Sequence, residues 1–154
     1  MRYLIPAVAV LATFAADAAA AAPAANFDPT GRWNIELFID GAALYGPGAS
    51  ASKPMQALIS GTGANMTIKI TSSGLAYPMI PDGLERETPD GFTRYFYLGP
   101  NVWAHAYRSK RRVMFDIDVC VPTADKNTLN CAGQRAEADG KIHQVTGIWR
   151  KMSD

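Results

Sequence analysis

The sequence predicts an all-β fold: an antiparallel meander of about eight strands closed into a barrel. Three observations carry that expectation. Apolar and polar residues alternate with period two in several short segments. Tight turns rich in glycine, proline, serine and aspartate separate most of these segments, and no stretch holds a helical apolar repeat over a useful length. The same device, a glycine two residues before a tryptophan, opens and closes the patterned part of the chain, as Gly31-Arg32-Trp33 and Gly147-Ile148-Trp149. Opening and closing strands of one type are expected to pair, which removes both free edges of the sheet.

Residues 31–41 read as the first strand. Gly31, Trp33, Ile35, Leu37 and Ile39 share one face, and Arg32, Asn34, Glu36 and Asp40 the other, with Phe38 the single exception. Each glycine of a Gly-x-Trp pair leaves room for another group to close over the indole. Residues 42–53, built from small residues around Leu44 and Tyr45, have no periodicity and are expected to be a long loop. Residues 54–60 and 65–71 follow as strands, the second with Met66, Ile68 and Ile70 inward. Pro78, Pro81 and Pro89 break residues 75–90, where only a short strand near 75–79 is expected. Residues 92–98 and 102–108 form a hairpin over Gly99-Pro100-Asn101. Its register is open: Phe92, Arg94 and Phe96 face inward, or Tyr95 and Tyr97 do. Beyond a basic turn at 109–112, residues 113–121 place Val113, Phe115, Ile117, Val119 and Val121 inward, opposite Asp116, Asp118 and Cys120. Residues 129–138 return, and 142–151 close the chain.

The chain has 154 residues and a formal net charge of +1. Met1-Arg2 gives a positive start, residues 4–16 an apolar run too short to span a bilayer, and 18–25 small-x-small cleavage sites. A cleaved signal peptide and linker over 1–25 and one barrel domain over 26–154 are therefore expected, in a periplasmic or secreted protein. No other stretch is expected to span a membrane. A near-neutral, mixed surface lacks the basic stripe that nucleic acid requires.

Cys120 and Cys131 follow an export signal, so a disulfide is expected. With Asp125-Lys126 at a hairpin tip, Val121 faces Asn130 and Cys120 faces Cys131, the separation a disulfide needs. The pattern of 113–121 places this bridge outside the barrel, and Asn130, Ala132, Gln134, Ala136 and Ala138 inside as a wall of small residues. Such a wall opposite large aromatic residues leaves space for a ligand. Trp103, His105 and Tyr107 share one strand face, and His143 shares the inward face of Val145 and Trp149. Candidate ligand contacts are thus Trp103, His105, Tyr107, Arg94, Gln134 and His143. Arg150, after Trp149, is expected to cover Trp33 at the barrel end as a structural cation over an indole. Asp116 and Asp118 are expected on the solvated face. No catalytic motif, cofactor motif or metal-ligand spacing is present, so an enzyme is not expected.

Gly31-Arg32-Trp33, the long loop after the first strand and the closing Trp149-Arg150 resemble the lipocalin-like (calycin) barrels. That resemblance implies Trp33 under a basic residue at the closed end, residues 42–53 as a lid, and a small apolar or aromatic ligand in the lumen. The chain is short for a lipocalin and has no helix after the barrel. The opening Gly-x-Trp is also similar to that of periplasmic metalloprotease inhibitors, which would give the N-terminal arm, residues 24–29, to a protease. A third reading is an envelope scaffold without a ligand.

Overall fold

In a computed structural model, which describes residues 27–46, 55–110 and 115–153, eleven strands form one antiparallel sheet. They are β1 (Gly31–Ile39), β2 (Ala42–Tyr45), β3 (Met55–Ser60), β4 (Thr67–Ile70), β5 (Ala76–Pro78), β6 (Arg86–Glu87), β7 (Gly91–Gly99), β8 (Val102–Ser109), β9 (Phe115–Pro122), β10 (Thr128–Ala136) and β11 (Ile142–Lys151). The expected signal segment, most of the expected lid, and Val113 of the expected strand start lie outside the described residues.

The first and last strands pair as expected, Trp33 opposite Lys151 and Ile39 opposite Val145. The sheet runs β5-β4-β3-β1-β11-β10-β9-β8-β7-β6 and curls into a nearly closed barrel. Residues 79–85 cross the seam between β5 and β6, where Met79 N–H donates to Met66 and Gly83 N–H to Tyr95, each at 2.9 Å. The strand number exceeds the expected one because β2 and β6 form in stretches that carry no usable alternation, while β5 is the short strand expected near 75–79. β2 folds back on β1 from the Asp40-Gly41 turn, where both residues hold positive φ (50° and 80°). Part of the expected lid is therefore strand.

The first Gly-x-Trp pair does what its spacing implies. A Cβ on Gly31 would lie 2.8 Å from Lys151 Cε, so the lysine stem crosses the glycine to hold its ammonium 5.8 Å from the Trp33 ring. Lys151, not Arg150, is the cation over this indole. Arg150 is displaced because it follows the inward Trp149 and so points outward, where it pairs with Glu36. The glycine of the second pair leaves space that Trp149 itself fills: a Cβ on Gly147 would lie 3.2 Å from Trp149 Nε1. Trp33 is fully buried, its Nε1 donates to the Pro29 carbonyl at 2.8 Å, and Phe27 meets both Trp33 and Trp103 edge-on at 6.3 Å. These contacts close one end of the barrel.

The β9–β10 hairpin has the expected register, Asn130 opposite Val121 and Cys131 opposite Cys120. The disulfide forms, with Cα atoms 4.1 Å apart. Its face is the reverse of the expected one. Both cysteines are 7% exposed and part of the core, and Asp116 and Asp118 turn inward with them. Phe115, Ile117 and Val121 are instead 45%, 40% and 44% exposed. The wall of Ala132, Gln134 and Ala136 accordingly lies on the outer side. Closing this short loop acts on the unfolded chain, so the Cys120→Ala, Cys131→Ala double variant is expected to lose about 3 kcal/mol. Denaturant melts against the oxidised parent check this; a loss below about 1 kcal/mol would contradict the chain-entropy account.

Candidate functional site

Inside the barrel lies a cavity of about 400 Å³. It owes nothing to the expected alanine wall. Instead Gly133 and Gly147 contribute no side chain on the inner faces of β10 and β11, and the compact disulfide takes the place of larger residues. Gly133 is further constrained by β9: a Cβ there would meet the Ile117 carbonyl oxygen at 1.9 Å. Alternation along β1, β3, β4 and β11 supplies the apolar wall, including Ile35, Met55, Ile68, Ile70 and Val145. From β7, β8, β9 and β10 come the polar groups.

Those groups follow the same period of two. Thr93, Tyr95 and Tyr97 face in from β7, Trp103, His105 and Tyr107 from β8, Asp116, Asp118 and Cys120 from β9, and Arg135 from β10. Cross-strand register sets His105 opposite both Tyr95 and Asp118, and Asp116 opposite both Tyr107 and Arg135. His105 stacks on Tyr95 with centroids 4.6 Å apart. Its Nε2 lies 3.1 Å from Thr93 Oγ1, and its Nδ1 3.6 Å from Asp118 Oδ2. Arg135 forks onto Asp116, Nε donating to Oδ1 at 2.7 Å and Nη2 to Oδ2 at 3.0 Å. This pairing holds the guanidinium even more firmly in its charged form. At the seam, Asp90 accepts from Tyr77 Oη and Thr88 Oγ1, each at 3.1 Å. Deeper in, Trp103 is 6% exposed and its buried Nε1 has no hydrogen-bond partner among the described residues.

Of the candidate contacts, Trp103, His105, Tyr107 and Gln134 line the cavity. His143 faces in but sits at the rim, where its Nδ1 meets Asp40 Oδ2 at 2.6 Å. That contact first, then the Gln144 N–H, lowers the Asp40 pKa and fastens the β1–β2 turn to β11. Arg94 is exposed on the outer face, because Tyr95 takes the inner position beside it, whereas Gln134, though exposed beside the inward Arg135, still borders the cavity. Asp90, Asp116, Asp118 and Arg135 were not expected in the site. Among the described residues no group of three or more His, Cys, Asp or Glu side chains gathers as metal ligands.

Burial raises the tyrosine pKa values here. Tyr77 rises from 10.0 to about 12, by burial first and then by the charge and hydrogen bond of Asp90. Tyr95, Tyr97 and Tyr107 also move up, burial again leading. A folded-state pKa above the unfolded value means stability that is whole below the unfolded pKa and lost as pH rises through the folded one. The barrel is therefore expected to hold to about pH 10 and to lose stability toward pH 12. In a tyrosinate absorbance titration four of the six tyrosines should ionise late and together with unfolding. Ionisation of all six near the ordinary value, with the fold intact, would contradict it.

No family model, curated protein or solved structure matches the chain, and its compatibility with a calycin-like barrel rests on architecture alone.

Proposed function

We propose that the protein is an exported carrier that takes one small apolar or aromatic molecule with a polar end into the barrel. The observation that carries this reading is the cavity of about 400 Å³, within the size range of small-molecule sites. Its lining supports the same reading: an apolar wall for the body of a ligand, and a few convergent polar groups to orient it. The unpartnered Trp103 Nε1 favours a ligand with a hydrogen-bond acceptor, because a buried donor left unsatisfied costs about 1–3 kcal/mol. The disulfide fits an oxidising compartment. No catalytic step belongs to this reading, in which His105 and Thr93, 3.1 Å apart, serve as part of the lining.

The inhibitor reading needs an arm that projects. Of that arm, residues 27–29 are described, and Phe27 and Pro29 are buried against the barrel, which disfavours it. Mass spectrometry of the gently purified, undenatured protein tests the carrier. A retained small molecule, or stoichiometric uptake of a naphthalene probe with quenching of tryptophan fluorescence, is expected. A folded barrel that retains nothing and takes up no probe would end this reading.

A further inference from the structure

The cavity lining contains three carboxylates, Asp90, Asp116 and Asp118, and one guanidinium, Arg135. Subtracting one from three leaves a formal charge of −2 with His105 neutral and −1 with it charged. This balance is unlike that of the whole chain, whose net charge is +1. Arg135 is already committed, since both of its contacts go to the two oxygens of Asp116. Asp90 is held by hydroxyl donors. Among the described residues the charge partner of Asp118 is the imidazole of His105, at 3.6 Å; the Cys120 sulfur 3.9 Å from it belongs to the disulfide and has no proton to donate. Around Asp118 stand flat rings: His105 opposite it, Tyr95 stacked on His105, and Trp103 directly across from the adjoining Cys120. Tyr95 and Trp103 are themselves in contact, centroids 6.4 Å apart.

We infer that the lumen selects organic cations: small amines with an apolar or aromatic body, seated with the ammonium beside Asp118 among the rings of Tyr95, His105 and Trp103. The inference rests on the carrier reading and narrows it. An ammonium supplies the counter-charge that the lumen lacks, and aromatic faces attract it further. A carboxylate placed there would face like charge in a region of low dielectric. Trp103 Nε1, over nine-tenths buried and unpartnered, adds a donor for an acceptor on the ligand body.

Three probes of one shape and different head separate these cases: 1-naphthylmethylamine, 1-naphthylmethanol and 1-naphthoate, titrated into the full chain by calorimetry and tryptophan quenching. The amine is expected to bind about tenfold more tightly than the alcohol, with the carboxylate weakest. Asp118→Asn, checked for folding by circular dichroism, is expected to remove the amine's advantage and leave alcohol binding in place. The wild-type ranking decides the matter even if that variant does not fold. An alcohol or carboxylate that binds as tightly as the amine overturns the cation inference and leaves the carrier reading standing. Asp118→Asn with an undiminished preference overturns the seat at Asp118. No binding by any of the three overturns the carrier reading and the inference together.

Discussion

Trp33→Ala is expected to cost about 3–5 kcal/mol, lowering Tm by roughly 10–20 °C in a domain of this size. Trp33 is one of the largest fully buried side chains, and its loss removes more than volume. The Pro29 carbonyl loses the indole N–H that holds the chain before β1, and Phe27 loses one of its two aromatic contacts. Lys151 loses the ring beneath its ammonium. Trp33→Phe keeps most of the packing and drops the hydrogen bond, so its loss should be nearer 1–2 kcal/mol, roughly that of one buried bond plus a small void. Urea unfolding of both variants measures the difference. Because Trp33 stands outside the cavity lining, naphthalene-probe binding by folded Trp33→Phe should match the parent. A Trp33→Ala loss below about 1 kcal/mol would mean that the closed end is not held by the indole.

The sequence made legible those strands that separate water from an apolar interior. β1 and β11 have that setting, and their alternation, their pairing and the use of Gly31 are as the pattern implies. Hairpin arithmetic also set the β9–β10 register, since a tip centred on Asp125-Lys126 sets Cys120 opposite Cys131, even though the turn itself spans four residues between Thr123 and Thr128. The facing of β9 was not legible from hydrophobicity, because that reading assumes a dry, apolar inside. Here the inside is partly polar, and Phe115, Ile117 and Val121 lie outward. A better marker of parity was present. Cysteine is among the most buried residue types, and Cys120 shares its face with Asp116 and Asp118, as Cys131 does with Arg135. The register that joins the cysteines also joins Asp116 to Arg135, opposite charges that satisfy each other when both turn in. β5 forms where the short strand near 75–79 was expected, but β6 left no such trace: it is only two residues long, too short to show an alternation.

Arg135→Ala is expected to destabilise the barrel by about 3–4 kcal/mol, whereas Arg135→Met combined with Asp116→Leu is expected to be nearly neutral. The two side chains are 17% and 18% exposed, far less than the surface pair Lys141–Asp139 at 71% and 52%. Removing the guanidinium leaves Asp116 charged, mostly out of water and without either donor of its fork. Removing both charges takes away the attraction and the desolvation cost together. For comparison, Lys141→Ala should change stability by less than about 1 kcal/mol, as exposed pairs do. A double-mutant cycle by denaturant unfolding gives the coupling directly. If Arg135→Ala costs no more than Lys141→Ala, the lumen is wet enough to screen the pair. A double variant as stable as the parent would show that stability does not explain these charges on the inner wall.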